Sequence, residues 1–308
     1  METRSVGGPP PWEPDTFPVP FPVAEGVGTV FILGGGVTCQ VMYDEYFRIA
    51  GGPKARVLHI PSSTRTFEEI PDLREYYYEF YEQNPESFNF LHTYDRAVAL
   101  DPKFAEPLDG VTGVWFGGGN QAFLSELFID TPVVPGIHRV LERGGIVSGT
   151  SSGAAIMSDI MICRGYEEVD YGRGFGLYPG TIVDSHFTGR ERQRRLGRAT
   201  LRHPEHIGVG VDEKCALVLH GHRVGVIGLL GKSVWYHFAY PAAGRVHRYR
   251  LGVNEALELP VPVRGADPRI LEECLRAHRP GEVFTAEELA KPDGDNCPPQ
   301  PLADAFIT

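Results

Sequence analysis

The sequence predicts an α/β fold in which a mostly parallel sheet carries helices on both faces. Short apolar runs alternate with longer polar or amphipathic stretches from about residue 28 to residue 212, and this alternation is typical of βαβ units. Glycine-rich or polar residues follow most of the apolar runs, where the carboxyl ends of parallel strands meet. Beyond residue 213 the pattern changes to that of a hairpin, which indicates an antiparallel C-terminal addition.

The apolar runs predict the strands in order. They are TVFIL (29–33), RVLHI (56–60), FNFLHT (88–93), GVWF (113–116), GIVS (145–148), TIVD (181–184) and VGVD (209–212). The stretches between them predict helices over 41–50, 69–83, 120–128, 136–143, 153–160 and 189–201. A capping box from Thr188 to Glu191 marks the start of the last of these helices. ALVLHGHRVGVIG predicts the hairpin, SVWYHF predicts a further strand, and residues 267–278 predict an amphipathic helix.

Both ends of the chain are expected to be loop-like. Residues 1–26 contain seven prolines, which favour an extended arm, and residues 287–308 are expected to form a C-terminal tail. A single α/β catalytic domain is therefore expected over 27–286. The arm combines prolines and acids and lacks the basic start and apolar core of a signal peptide, so a cytoplasmic protein is expected.

Composition excludes several classes of partner. The formal net charge of −11 repels phosphate backbones, so nucleic acid is not expected as a partner. No apolar run reaches the roughly 18 residues of a membrane span, so no membrane association is expected. The five cysteines lack any C-x-x-C pair, which predicts reduced thiols and neither a metal site nor a disulfide framework; they are at positions 39, 163, 215, 274 and 297.

The segment after GIVS has the pattern of a nucleophile elbow. Residues 149–153, GTSSG, fit G-x-S-x-G between a predicted strand and a predicted helix. In that frame Ser151 is the nucleophile, and the amide of Ser152 faces the developing oxyanion at a helix N-terminus. A plain Ser/Gly turn has the same pattern, and Ser152 is the second candidate for the attacking hydroxyl. The strand before and the helix after favour the elbow with Ser151.

A nucleophilic serine needs a base, and the base needs an orienting partner. His186 follows TIVD, and Glu213 follows VGVD, at the predicted edge of the sheet that also carries Ser151. Taken singly, each is equally consistent with an ordinary surface side chain. Their common position at strand ends makes them the candidates for a Ser-His-Glu triad.

The segment GGGNQA at 117–122 has two interpretations. It fits the dinucleotide fingerprint G-x-G-x-x-A, but the nearest suitably spaced acid, Glu142, falls on a predicted helix. We therefore expect no nucleotide and no other cofactor. The favoured interpretation is that the amide of Gly118 or Gly119 is a second oxyanion donor and that Gln121 faces the substrate. FILGGG at 31–36 is expected to form a turn beneath the same edge.

Arginines cluster in RERQRRLGRATLR at 190–202. The segment lacks interleaved aromatic residues and belongs to an acidic protein, which argues against nucleic-acid binding. Arginines beside His186 are suited to gripping carboxylates through bidentate contacts. Asp184 pairs either with a cationic group of the substrate or with one of these arginines.

Four stretches together resemble one enzyme family. FGGGNQ (116–121), GTSSGAAIMSD (149–159), DSHFTGRERQRRL (184–196) and IGVGVDEKCALV (207–218) are similar in order and spacing to the cyanophycinase family of serine peptidases, which is related to dipeptidase E. The resemblance covers about residues 28–238. It implies a three-layer, flavodoxin-like, class I glutamine amidotransferase-like α/β fold with a mostly parallel sheet.

The resemblance also implies an activity and a site. Ser151 would be the nucleophile, His186 the general base and Glu213 its partner. The implied substrate is cyanophycin, a poly-aspartate backbone with arginine on each β-carboxyl, from which family members release β-Asp-Arg dipeptides as exopeptidases. The resemblance implies a homodimer and implies no metal or cofactor. The positions implied to line the substrate pocket are Gln121, Asp184, Ser185, Arg190, Arg192 and Arg195.

Three residues depart from the usual family pattern. Ser152, Asn120 and Ser185 stand where the family usually has alanine, aspartate and glutamine. A peptidase of the same fold that acts on aspartyl or isoaspartyl dipeptides is one alternative function. A catalytically silent protein that binds acidic or arginyl ligands is the other alternative.

Overall fold

A computed structural model of the protein describes residues 20–278 and 280–291. The strands are β1 (Thr29–Leu33), β2 (Arg56–Ile60), β3 (Ser87–Phe90), β4 (Gly113–Phe116), β5 (Ile146–Thr150), β6 (Ile160–Arg164), β7 (Asp170–Arg173), β8 (Thr181–Asp184), β9 (Ile207–Val211), β10 (Cys215–His220), β11 (Arg223–Gly228), β12 (Ser233–Tyr240), β13 (Arg245–Gly252), β14 (Ala256–Glu258) and β15 (Glu282–Phe284). The α-helices are α1 (Gln40–Ile49), α2 (Leu73–Tyr76), α3 (Tyr78–Glu82), α4 (Arg96–Ala99), α5 (Pro102–Ala105), α6 (Gln121–Phe128), α7 (Val133–Glu142), α8 (Ser152–Ala155), α9 (Gln193–Arg202), α10 (Pro268–His278) and α11 (Ala286–Ala290).

The central sheet has eight strands in the order β14-β11-β10-β1-β5-β4-β2-β3. The five strands from β1 to β3 in this order are parallel. The predicted hairpin, β10 and β11, adds antiparallel strands at the other side of β1. The predicted α/β fold, with its mostly parallel core and C-terminal hairpin, is confirmed.

Both faces of the central sheet are buried, as a near-continuous apolar strand requires. All five side chains of β1 are buried, and the four apolar ones alternate between two hydrophobic clusters. Val30 and Ile32 face the larger cluster with α6, α7 and α8. Phe31 and Leu33 face the other cluster, which α1 and α3 cover. This arrangement places helical layers on the two faces of the sheet.

A second sheet corrects the expectation that all the site-bearing strands lie in one sheet. Its order is β15-β13-β12-β9-β8, with only β8 and β9 parallel. TIVD and VGVD therefore end in the second sheet, whereas GVWF and GIVS end in the central sheet. The two sheets share the larger hydrophobic cluster, since Val209 and Val211 of β9 pack in it with Val30 of β1.

Three predicted helices differ from the structure. The stretch 69–83 contains the two short helices α2 and α3: Asp72 caps the start of α2 through the amides of Arg74 and Glu75, and the non-helical backbone of Tyr77, with φ −110° and ψ 34°, separates α2 from α3. The helix predicted over 153–160 ends at Ala155, since the amide of Asp159 bonds to Thr181 and the chain enters β6.

The third difference is the helix predicted over 189–201, which begins only at Gln193. The capping box from Thr188 to Glu191 does not form. The amide of Thr188 instead bonds to Oδ1 of Asp212 at 3.1 Å, and Glu191 has a positive φ of +51°. The segment between His186 and α9 is therefore a turn and not a helix.

The chain ends fall largely outside the described residues. Residues 1–19 of the predicted arm and residues 292–308 of the predicted tail, with Cys297, are not described. The described start of the tail carries α11, whose capping box joins Thr285 and Glu288, and Leu289 is buried. The other four cysteines are free thiols. Every helix within 20–278 and 280–291 is too short or too polar to cross a bilayer.

Candidate active site

The turn between β5 and α8 holds Ser151 in a conformation that few residues other than glycine adopt. Its φ is +55° and its ψ is −108°, and such strained residues cluster at active sites. The flanking glycines are required by close packing. A Cβ on Gly149 would lie 2.3 Å from the carbonyl oxygen of Gly153, and a Cβ on Gly153 would lie 2.6 Å from that of Phe116. The G-x-S-x-G segment therefore has the shape of a nucleophile elbow.

Side chains from three separate segments form a continuous hydrogen-bonded relay. Ser151 Oγ lies 2.8 Å from Nε2 of His186, and Nδ1 of His186 lies 2.5 Å from Oε1 of Glu213. The serine follows β5, the histidine follows β8, and the glutamate lies in the connection from β9 to β10. The hydroxyl of Ser152 instead donates to the carbonyl of Gly117 at 3.3 Å. The imidazole therefore contacts Ser151 and not its neighbour.

The glycine turn after β1 fixes the imidazole. The amide of His186, which has a positive φ of +51°, donates to the carbonyl of Gly34 at 2.6 Å. A Cβ on Gly35 would lie 2.5 Å from Cε1 and Nε2 of the ring, and one on Gly36 would lie 3.3 Å from the side chain of Glu213. Glycines at positions 35 and 36 therefore leave room for the side chains of His186 and Glu213.

Burial and nearby charges keep the relay in the protonation state that a base needs. Burial lowers the pKa of His186 to about 4; the hydrogen bond to Glu213 opposes this, and the charges of Arg190 and Arg192 reinforce it. Burial raises the pKa of Glu213, but the hydrogen bond from His186 and the positive charges nearby outweigh it and lower this pKa below its usual value. At neutral pH the imidazole is therefore neutral and the carboxylate ionised.

A glycine-rich loop after β4 borders Ser151. A Cβ on Gly118 would lie 3.6 Å from the Cβ of Ser151. At the end of the loop, Oδ1 of Asn120 accepts the amide of Ala122 at 2.9 Å and caps α6. Asparagine here thus performs the capping that an aspartate would perform. The loop that carries the predicted oxyanion donors Gly118 and Gly119 lies beside the serine.

A buried ion-pair network lies next to the relay. Asp184, which is 2% exposed, accepts two bonds from Arg195, Nη2 to Oδ1 at 2.5 Å and Nε to Oδ2 at 2.9 Å. Nη1 of Arg192 donates to the same carboxylate at 3.2 Å and to the carbonyl of Ser185 at 2.8 Å. The sequence left open whether Asp184 pairs with a cationic group of the substrate or with a neighbouring arginine. In the structure it pairs with Arg192 and Arg195. Contact of these three side chains with substrate stays a prediction.

Comparison with known proteins decides the family. The model of peptidase family S51 matches residues 31–227. The chain belongs to peptidase family S51. This membership makes the protein a serine peptidase, and the family resemblance seen in the sequence is confirmed.

Curated relatives of this S51 peptidase include two cyanophycinases. That of Geminocystis herdmanii is 33% identical over 212 residues, which are 65% of this chain and 77% of that protein. That of Synechococcus elongatus is 34% identical over 213 residues, 65% of this chain and 66% of that protein. Among solved structures, a peptidase from an acI-B1 actinobacterium superposes with a TM-score of 0.58 at 22% identity, over 76% of this chain and 98% of that one. This last likeness shows a shared fold.

The remaining predicted binding positions of the S51 peptidase have different surroundings. The side-chain amide of Gln121 donates to the carbonyls of Ile162 and Cys163, at 2.7 and 2.9 Å, and ties the start of α6 to β6. Ser185 is buried. Arg190 is half-buried, and its positive charge acts on both His186 and Glu213. Arg190 therefore joins Arg192 as a predicted binding residue whose charge acts on His186.

Sequence analysis missed one residue of the site, Ser63. It follows β2, is 1% exposed, and bonds to the glycine-rich loop. Its only signal in the sequence is its place after an apolar strand at the edge that carries the relay. A serine in a four-residue IPSS segment has no further pattern that predicts such a contact.

Proposed function

We propose that the protein hydrolyses cyanophycin by serine peptidase chemistry, cutting the poly-aspartate backbone and releasing β-Asp-Arg dipeptides. The observation that carries the proposal is the relay of Ser151, His186 and Glu213, with contacts of 2.8 and 2.5 Å. The substrate is proposed because two relatives at about one-third identity are cyanophycinases. The cytoplasmic location and the homodimer expected from the sequence belong to the same proposal.

The proposed reaction has two halves. Ser151 Oγ attacks the carbonyl carbon of the scissile aspartyl bond while its proton passes to Nε2 of His186, and the imidazolium then protonates the leaving amine. Water, deprotonated by the same nitrogen, attacks the acyl-enzyme and releases the acid and the free serine. Glu213 holds the Nδ1 proton and stabilises the imidazolium in both halves.

Negative charge that develops on the carbonyl oxygen needs donors. The amides of Ser152 and of Gly118 or Gly119 are proposed for this role, because Ser152 directly follows Ser151 at the start of α8 and a Cβ on Gly118 would lie 3.6 Å from the Cβ of Ser151. Each such donor contributes about 10²–10³ in rate. We propose that four charged residues select a substrate that carries both carboxylate and guanidinium groups. They are Arg190 and the ion-pair network of Asp184, Arg192 and Arg195.

The test uses insoluble cyanophycin and mass spectrometry of the soluble products. The protein is expected to release β-Asp-Arg, and Ser151→Ala is expected to lose at least about 10⁴-fold in kcat. Ser152→Ala is the matched variant, since it removes the adjacent hydroxyl and keeps the amide, and it is expected to retain measurable turnover. Turnover by Ser151→Ala would refute this nucleophile. Cleavage of isoaspartyl dipeptides without any action on the polymer would refute the substrate.

A further inference from the structure

Ser63 contacts three consecutive peptide groups of the glycine-rich loop, through one hydroxyl proton shared between two carbonyls and through its own carbonyl oxygen. Its hydroxyl lies 2.6 Å from the carbonyl oxygen of Gly118 and 3.1 Å from that of Gly117. Its own carbonyl accepts the amide of Asn120 at 2.7 Å. Because Ser63 is 1% exposed, its hydroxyl is shielded from water, and loss of that hydroxyl would remove the donor that holds the carbonyl of Gly118.

The orientation of a peptide group follows from the partner of its carbonyl. In a trans peptide the C=O of one residue and the N–H of the next point in opposite directions. Since the carbonyl of Gly118 points to the hydroxyl of Ser63, the N–H of Gly119 points away from it. The carbonyl of Gly117 is held by the same hydroxyl and by that of Ser152 at 3.3 Å, so the N–H of Gly118 points away from these hydroxyls too.

The loop lies between Ser63 and the nucleophile. On one side, a Cβ on Gly119 would lie 2.3 Å from the carbonyl oxygen of Ser63, and the φ of Gly119 is +144°. On the other side, a Cβ on Gly118 would lie 3.6 Å from the Cβ of Ser151. An N–H that points away from Ser63 therefore points to the side of the loop where Ser151 lies.

We infer that Ser63 is a positioning residue of this peptidase: its hydroxyl holds the Gly118 carbonyl and thereby turns the N–H of Gly119 toward the oxyanion formed at Ser151. The inference deepens the proposed function and rests on the proposed attack by Ser151. Of the two loop amides it assigns the donor role to Gly119, because the shorter contact of the Ser63 hydroxyl, 2.6 Å against 3.1 Å, is to the carbonyl of Gly118. It also gives the hydroxyl of Ser152 a supporting role, because that hydroxyl steadies the preceding peptide group through Gly117.

The test measures the rate at which a fluorophosphonate labels Ser151, because the phosphonyl oxygen occupies the oxyanion position and no knowledge of the substrate is needed. Ser63→Ala is expected to label about 10- to 100-fold more slowly than the unmodified protein. Ser62→Ala is the matched control. Ser62 is also buried beside β2, at 2% exposure, but its hydroxyl contacts Nδ1 of His92, so its labelling rate is expected to stay within about twofold.

A pH profile separates positioning from general damage to the relay. Ser63→Ala is expected to label more slowly at every pH while keeping the acid limb of the profile, because the surroundings of His186 are unchanged. Ser63→Cys preserves the volume and replaces the hydroxyl with a weak donor, and it is expected to show the same loss if Ser63→Ala does not fold. Equal rates for folded Ser63→Cys and Ser62→Ala, or a displaced acid limb, would overturn the inference.

The outcome for the substrate is independent. If the unmodified protein labels at Ser151 and the Ser63 variants label slowly, but cyanophycin is not cut, the proposed substrate fails and the role of Ser63 stands. If the unmodified protein does not label at all, Ser151 is not an activated nucleophile and both proposals fail.

Discussion

At the scale of single residues, the balance of effects on His186 decides at which pH the site can work. Burial lowers its pKa to about 4, and Arg190 and Arg192 act in the same direction. A general base must be unprotonated, so the acid limb of kcat/KM is expected near pH 4 in the free enzyme. An imidazole with the ordinary pKa of about 6.5 would already have lost about 90% of its neutral form at pH 5.5.

Replacement of Arg190 tests this balance. The cation disfavours the imidazolium, so Arg190→Gln is expected to raise the pKa of His186 and to move the acid limb of kcat/KM to higher pH. The measurement is a pH–rate profile at constant ionic strength. Arg194→Gln is the matched control, since it removes a charge from the same segment that is not among those acting on the pKa of His186. Equal limbs in the two variants would contradict the electrostatic explanation.

At the scale of elements, the buried carboxylate of Asp184 fastens the start of α9 to the end of β8. The side chains of Arg195 and Asp184 are 3% and 2% exposed. If one partner is lost, the remaining charge therefore stays buried and is not solvated by water. The next residues along the chain after Asp184 are Ser185 and His186, and the network therefore also fixes the segment that carries His186. This coupling explains why arginines predicted to bind substrate are found inside the protein.

Breaking this pair is expected to be costly. Arg195→Gln leaves a buried carboxylate with one weaker partner, Arg192, and is expected to lower the free energy of unfolding by about 3–5 kcal/mol. Urea denaturation followed by circular dichroism measures the change. Arg139→Gln is the control, because Arg139 and Asp109 form a pair whose side chains are 46% and 59% exposed, and its loss is expected to cost about 1 kcal/mol or less. Similar values for the two variants would contradict the role assigned to burial.

At the scale of the whole molecule, the relay depends on two sheets that keep a fixed relative position. Ser151 follows a strand of the central sheet and His186 follows a strand of the second sheet. The larger hydrophobic cluster contains residues of both, among them Ile32 of β1 and Tyr236 of β12. Because a core shared in this way cannot be lost from one sheet alone, the two sheets are expected to unfold together.

Two tryptophans report on the two sheets separately. Trp115 lies in β4 and Trp235 in β12, while Trp12 lies outside the described residues and is replaced by phenylalanine in both variants. One variant keeps Trp115 and the other keeps Trp235. In each, the urea midpoint from fluorescence is expected to coincide with that from far-ultraviolet circular dichroism. Separate midpoints would show that the sheets are independent domains and would refute the single domain expected over 27–286.

Local sequence patterns predicted much of the fold because they report local requirements. The strand TVFIL is apolar at every position because both faces of β1 are buried. The GTSSG segment needs its glycines because neighbouring backbones approach within 3 Å of where their side chains would be. The helix predicted to start near Thr188 was wrong for a non-local reason: Asp212, which follows β9, accepts the amide that the capping box would have bonded.

The sequence by itself predicted the parallel strands of the central sheet, the elbow and the three side chains that the relay joins, because apolar runs and the G-x-S-x-G pattern reflect local structure and the family resemblance points to the same three residues. Only the tertiary structure decided that two sheets deliver the relay, that Asp184 is neutralised by Arg192 and Arg195, and that Ser63 holds the glycine-rich loop. Each of these depends on which distant segments pack together. A short apolar strand has the same sequence pattern whichever sheet it joins. A serine in the sequence does not indicate whether its hydroxyl will bond to water or to a backbone carbonyl of a distant segment.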